Sequence, residues 1–412
     1  MMKFGGTSVA DLDRIRRVAA FVKREADAGH SVVVAVSAMA GETNRLVALC
    51  ADAGAPDPAL DVRNVEYDAV VASGEQVTSG LLALVLQHMG YRAPLMAGLA
   101  SADPHRSRHL ARARIMDIPP QTLGEAIDNG EIAVIAGFQG IAPDNRIATL
   151  GRRGSDTTAV ALAAALGAER CDIYTDVDGV YTTDPRISKQ AQRIDKIAYE
   201  EMLEMASLGA KVLQTRSVEL AMAYKVKVRV LSSFDPPDAP GPGTIICDED
   251  EIVEKQIVSA VTLSKDEAKI SLLSVPDEPG RAAMIFRLLA DGGVNIDMIV
   301  QSPSRQSGAN ISFTMGEGDL SRAIEVLETN KDDIGYAQMQ SDRSVVKVSV
   351  IGVGMRSHTG VASTMFKTLA EKNINIQNIS TSEIKISVLI AADYAELAVR
   401  ALHQAYGLDR SG

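Results

Sequence analysis

The chain has 412 residues, enough for more than one core, because single domains usually stop growing at about 250 residues. Hydrophobic residues make up 46% and charged residues 23%, which excludes a disordered or fibrous chain and fits a globular α/β protein. The formal net charge of −11 argues against nucleic acid or an anionic membrane as partner, so an anionic ligand has to be held by a local group of cations and amides.

Cys50, Cys171 and Cys247 are odd in number, far apart and without C-x-x-C spacing, which indicates neither a disulfide framework nor a zinc site and suits a reducing compartment. No apolar run approaches the roughly 18 residues that span a bilayer, and no basic-then-apolar leader opens the sequence. A cytoplasmic protein is expected.

In chain order, short apolar β-branched runs at 31–38, 131–138 and 171–177 alternate with amphipathic stretches at 11–28, 64–90 and 156–168. That alternation predicts β-α-β units on a mainly parallel sheet. The segment FDPPDAPGPG (234–243) interrupts regular structure and marks a nearby domain boundary. Beyond it the tail repeats itself at an offset of 80 residues: Gly280 falls on Gly360, Phe286 on Phe366, Leu289 on Leu369, and Asn295-Ile296 on Asn375-Ile376. Each copy reads as a strand, a loop ending in glycine, an amphipathic helix and another strand.

Three segments carry chemistry. KFGGTS (3–8) follows a short apolar strand with two glycines and two hydroxyl residues, so backbone N–H groups can approach a phosphate beside the mobile charge of Lys3. By itself this is also an ordinary strand-to-helix turn, and it lacks the spacing of a Walker A loop. TLGRRGSDTTAVALAAAL (149–166) runs a glycine-bearing loop with arginines into a helix, with Ser155 or Asp156 as its N-cap. YTDVDGVYTTDPR (174–186) follows a buried strand, where α/β proteins place ligands, but its aspartates lack the spacing of an EF-hand. No metal site made by the protein alone is expected.

Together with VSAMAGETN (36–44), ASGEQVTSGLLAL (72–84), VIAGFQG (134–140) and EEMLEMASLGAKVLQTRSVE (200–219), these segments resemble the aspartate kinases of the amino-acid-kinase family. In the tail, DEPG, NIDMIVQ, GVGMRSHTGVAS and NISTSEIKISVLI resemble the paired ACT domains of that family. The resemblance implies an α/β/α sandwich with a mainly parallel sheet at 1–245. Two ferredoxin-like ACT regions would follow at 246–335 and 336–412, one inserted into the other. It implies an ATP-dependent phosphotransferase that phosphorylates the side-chain carboxylate of L-aspartate with Mg²⁺. This would be the first step of lysine, threonine and methionine biosynthesis, under control by lysine, threonine or both. A homodimer or higher oligomer formed through the ACT domains is expected.

By the same resemblance, Lys3 and Lys211 serve the phosphates, with Gly5, Gly6 and Ser8 lining the loop, and Asp156 orients Lys3. Thr175, Asp176, Tyr181 and Arg186 fall on the nucleotide. Arg152 clamps the α-carboxylate of aspartate, Glu75 takes its ammonium group, and Ser37 and Thr43 complete the acceptor pocket. An effector is framed by Asp277, Gly280, Asn295, Asp297 and Gln301 in one ACT copy and by Met355, Ser357, Asn375, Ser382 and Glu383 in the other. The loop reads G-R-R-G-S-D where the family has G-R-G-G-S-D. Arg153 therefore leaves open a catalytically impaired, amino-acid-binding subunit; another kinase of the same fold is the remaining alternative.

Overall fold

The computed structural model describes residues 1–54, 65–96, 101–103, 113–118, 120–151, 154–209, 212–252, 256–304 and 308–409. The chain forms two compact units: Met1–Val180 with Arg193–Ala206 and Lys211–Glu254, and Lys255–Gly412 with Tyr181–Gln192 and Ser207–Ala210.

The first unit is built on an eight-stranded sheet. Its spatial order is Lys196–Ala198, Thr244–Cys247, Val228–Ser232, Cys171–Thr175, Met2–Phe4, Val33–Val36, Ala133–Ala136, Leu95–Met96. Neighbours run parallel except Val228–Ser232 against Thr244–Cys247. The central strands are apolar at every position but Lys3, Asp172 and Thr175, as burial on both faces requires. One face sends Phe4, Val34, Val36 and Tyr174 against Val18, Phe21 and Val22 of the helix Leu12–Asp27 and Leu82 and Leu86 of the helix Val65–His88. Phe4 and Tyr174 stack there at 4.5 Å. The other face packs Val33, Ala35 and Ile135 against Ala161 and Leu162 of the helix Gly154–Ala165. Helices on both faces make this an α/β/α sandwich. A smaller four-stranded sheet (Arg114–Asp117, Ser101–Asp103, Gln139–Ile141, Ile147–Thr149) completes the unit.

Residues Glu66–His88 are long and apolar enough to cross a bilayer, contrary to the expectation that no such run exists. Half of that window is buried within the first unit, with Val71, Leu82 and Leu86 in its cores, while Val77 and Leu84 are 57% and 62% exposed. The Gly154–Ala165 helix starts earlier than expected, which places Ser155 and Asp156 in its first turn rather than at the N-cap.

The second unit contains two four-stranded antiparallel sheets. One has the order Ile296–Pro303, Ala309–Met315, Ala268–Val275, Gln338–Asp342; the other has Ala260–Ser264, Val345–Ile351, Lys385–Ala391, Ile376–Thr381. The edge strand Ala260–Ser264 precedes every strand of the first sheet, so residues 268–342 are inserted between two strands of the second. The 80-residue repeat is structural: the helices Arg281–Asp291 and Val361–Glu371 follow Gly280 (φ 91°) and Gly360 (φ 93°), left-handed positions that suit glycine.

Segment 181–192 belongs to this second unit. The Val261 N–H donates to the Thr182 carbonyl at 2.8 Å, and Thr182 Oγ1 meets His403 Nε2 at 2.8 Å.

Candidate active site

Five adjacent strands of the large sheet end on the same edge, and the ladder continues one residue past each end. The Gly5 N–H donates to the Tyr174 carbonyl (3.1 Å), Ser37 N–H to Phe4 (3.1 Å), Gly137 N–H to Val36 (3.0 Å), and Ser233 N–H to Thr175 (2.9 Å). The loops that begin at Ser233, Asp176, Gly5, Ser37 and Gly137 therefore leave the carboxyl edge of the sheet side by side, the position where open α/β sheets bind ligands.

Strand alternation turns Lys3 away from Met2 and Phe4 and toward the Gly154–Ala165 helix. There its Nζ lies 2.5 Å from Asp156 Oδ1, with the two side chains 8% and 6% exposed. The ion pair keeps the ammonium group beside Asp156. Gly6 passes so close to the neighbouring loop that a Cβ would lie 2.9 Å from the Ala38 carbonyl oxygen, which explains glycine at this position. A Cβ at Gly137 would lie 2.7 Å from Ser155 Cβ. The Ser37 and Ser155 hydroxyls are 2.8 Å apart and tie the loop after the second strand to the helix that carries Asp156.

Glu75 sits within the Val65–His88 helix and is 4% exposed. Burial pushes its carboxyl up to about 7, against the pull of the Ala38 N–H and of the Lys3 charge. Its Oε2 is buried with no hydrogen-bond partner among the described residues. A buried carboxylate oxygen left unpaired is costly, and a cationic ligand would satisfy it.

Ser8 is 1% exposed, and its hydroxyl donates inward to Ser233 Oγ at 2.8 Å rather than facing the edge. Thr43 is half-buried in the first turn of the helix Glu42–Asp52, whose N-cap Gly41 makes no side-chain bond. Thr175 Oγ1 donates to the exposed Asp176 Oδ1 at 3.1 Å. Tyr181 and Arg186 belong to the second unit; Arg186 is exposed and paired with Asp184 at 2.7 Å, which holds the Asp184 carboxyl below its usual range. Arg152, Arg153 and Lys211 lie outside the described residues.

In the second unit, the loop bearing Asp277 leads to Gly280, and the segment bearing Asn295 leads into the strand carrying Asp297 and Gln301. Lys347, 5% exposed, closes on Asp297 and on Glu267 (2.6 Å). The corresponding pair on the other side is Lys269 Nζ to Gln377 Oε1 at 2.7 Å. Gln377 is 80 residues beyond Asp297, so the two copies are related by a swap in which a neutral amide replaces the carboxylate. Met355 and Ser357 lie in the short helix Val353–Ser357, Ser382 N–H donates to the Lys385 carbonyl at 2.8 Å, and exposed Glu383 approaches Arg356 at 3.5 Å. Asn375 immediately precedes the strand Ile376–Thr381.

Family models match the sequence over the same regions: an amino acid kinase domain over residues 1–232 and ACT domains over 270–332 and 348–406. An aspartate kinase of Stutzerimonas stutzeri is 50% identical over 411 residues, spanning 99% of this chain and 97% of that protein. The chain belongs to the aspartate kinases of the amino acid kinase family. An aspartokinase of Pseudomonas aeruginosa is 49% identical, with 99% and 97% of the two chains covered. Two crystal structures of Escherichia coli aspartokinase III, each 28% identical and covering 98% of both chains, also match this aspartate kinase fold. The structure with aspartate and ADP gives a TM-score of 0.80, and the structure with lysine and aspartate gives 0.75.

What the sequence did not reveal is the inward hydroxyl of Ser8 and its partner Ser233. Ser233 falls outside the motifs that carry the resemblance, and no local pattern links residues 225 positions apart.

Proposed function

We propose that the first unit transfers the γ-phosphoryl group of ATP to the β-carboxylate of L-aspartate, giving ADP and 4-phospho-L-aspartate as the entry to lysine, threonine and methionine synthesis. The observation that carries this reading is the presence, in one unit, of a buried cation at Lys3 held by Asp156 and a buried carboxylate oxygen at Glu75 that has no hydrogen-bond partner among the described residues. One suits an anion in transfer; the other suits the substrate ammonium group. The E. coli relative, whose crystals hold aspartate and ADP, supports the same pair of ligands.

The acceptor carboxylate, with an ordinary pKa near ~3.9, is ionised at neutral pH and attacks phosphorus without a general base. The protein's task is then to hold two anions in line and to neutralise charge on the transferring group. Lys3 does so from its place beside Asp156, and the Gly5-Gly6 backbone approaches without side chains in the way. Lys211 is assigned to the same phosphates and Arg152 to the α-carboxylate. Ser37 and Thr43 border the acceptor, and Thr175 and Asp176 serve the nucleotide. Mg²⁺ arrives with the phosphates and supplies further charge neutralisation. Among the described residues no group of three or more His, Cys, Asp or Glu could hold a metal ion by itself.

Control by an amino acid is assigned to the second unit, at Asp277, Gly280, Asn295, Asp297 and Gln301. The lysine complex of the E. coli relative supports this, and Asp277 and Asp297 carry the carboxylates suited to an ammonium. Pairing of two copies through the ACT region is part of the same proposal, as is a cytoplasmic location. A coupled assay for ADP release with L-aspartate, acetylglutamate or buffer alone tests the reaction. Release that depends on aspartate supports it; release with acetylglutamate alone indicates another kinase of the same fold.

A further inference from the structure

We propose that Ser233 is a positioning residue for the nucleotide half of the site; the inference rests on the phosphate-binding reading of the Gly5-Gly6 loop given above. The Ser8 hydroxyl donates to Ser233 Oγ at 2.8 Å, and the Ser233 hydroxyl donates onward to the Thr175 carbonyl at 3.1 Å. Ser8 is 1% exposed and Ser233 2% exposed, so water does not compete for either bond. The Ser8 proton is therefore committed inward. Its contribution to the site is to fix the backbone of the short helix Gly6–Val9, on which Gly6 lies, rather than to donate to a phosphate.

Ser233 is itself held rigidly. Its N–H donates to the same Thr175 carbonyl at 2.9 Å, and its own carbonyl accepts from Arg17 Nε at 3.1 Å. Arg17 Nη2 also reaches the carbonyls of Phe234 (2.7 Å) and Asp235 (2.6 Å), which clamps the bend after the strand. The glycine loop is thus braced to the end of the strand Cys171–Thr175 through one hydroxyl. Thr175 and Asp176 start the segment assigned to the nucleotide, so the brace sets the spacing between the two parts that would hold it. Loop and strand are already joined once by the Gly5 N–H to the Tyr174 carbonyl; the Ser8–Ser233 bond adds a second point and fixes the orientation.

The test is nucleotide affinity in the full chain, measured by calorimetry with Mg-ADP, for wild type, Ser8→Ala, Ser233→Ala and the double variant. Aspartate-dependent turnover is measured beside it. Ser233→Ala should weaken ADP binding about tenfold, equivalent to about 1.4 kcal/mol, and raise KM for ATP similarly while KM for aspartate stays unchanged. The double variant should be no worse than the poorer single, because both remove one shared bond. The inference is overturned if ADP affinity is unchanged, if both KM values rise together, or if the single effects add. Should Ser233→Ala not fold, Ser8→Ala alone must weaken ADP binding, and unchanged affinity overturns the proposal. If wild type binds ADP but does not phosphorylate aspartate, the functional reading fails while the brace is still tested by the calorimetry.

Discussion

Lys3 and Asp156 face each other across the sheet–helix boundary at 2.5 Å, both almost fully buried. Removing one partner of such a pair leaves an uncompensated charge, a loss of about 3–5 kcal/mol, whereas removing both with apolar residues is often close to neutral. Asp156→Ala should therefore lower Tm sharply and cut kcat at least about 10²-fold. Lys3→Met with Asp156→Leu should recover Tm and leave activity absent. Recovery of activity in the double variant would show that the pair is structural only.

Glu75 gives a pH dependence with a definite sign. Its carboxyl, normally near 4.5, is raised to about 7 by burial, and only the ionised form attracts the substrate ammonium. KM for aspartate should rise as pH falls through about 7, and Glu75→Gln should raise KM and flatten that dependence. Stability runs the opposite way. A carboxyl whose folded pKa lies above its unfolded value contributes most below about 4.5, and that contribution is lost as pH rises through about 7. In the absence of aspartate, Glu75→Gln should raise Tm at pH 8 and change it little at pH 4.5. A lower Tm at pH 8 would contradict the burial argument.

The swap between Lys347–Asp297 and Lys269–Gln377 separates the two ACT copies by charge. In Lys347 burial works against the charge, but its bonds to Asp297 and Glu267 outweigh that and raise its pKa; burial pushes the Glu267 carboxyl up against the pull of Lys347. Asp297→Ala should abolish inhibition by lysine with basal kcat/KM retained, while Gln377→Ala should leave inhibition intact. Titration of activity with lysine and threonine, singly and together, decides this; loss of inhibition in Gln377→Ala but not Asp297→Ala would reverse the assignment.

Gly137→Ala would bring a methyl group within 2.7 Å of Ser155 Cβ and 3.0 Å of the Val36 carbonyl oxygen. The helix that carries Asp156 would have to move. Activity should fall at least about tenfold with a loss of about 1–3 kcal/mol in stability, read by kcat/KM and urea unfolding. Wild-type values for both would show that the helix has slack.

Much of this was legible in the sequence because the signals are local. The runs at 31–38, 131–138 and 171–177 contain the strands Val33–Val36, Ala133–Ala136 and Cys171–Thr175, since both faces of a central parallel strand must be apolar. The Gly280 and Gly360 repeat was readable because a left-handed N-cap position favours glycine in both copies. Other features are tertiary. The membership of 181–192 in the second unit rests on Thr182 contacts with Val261 and His403, far along the chain. The apolar character of Glu66–His88 reflects burial within the unit only in part, since Val71, Leu82 and Leu86 are buried while Val77 and Leu84 are exposed, and composition does not separate the two faces.

The most direct test of the central proposal is to trap the acyl phosphate. Wild-type protein, Mg-ATP and hydroxylamine are incubated with L-aspartate, with acetylglutamate or with neither, across several pH values and metal concentrations. Hydroxamate should form with L-aspartate alone and, in the Glu75→Gln variant, only at much higher aspartate. Absence of aspartate-dependent hydroxamate under every condition would contradict the proposed reaction.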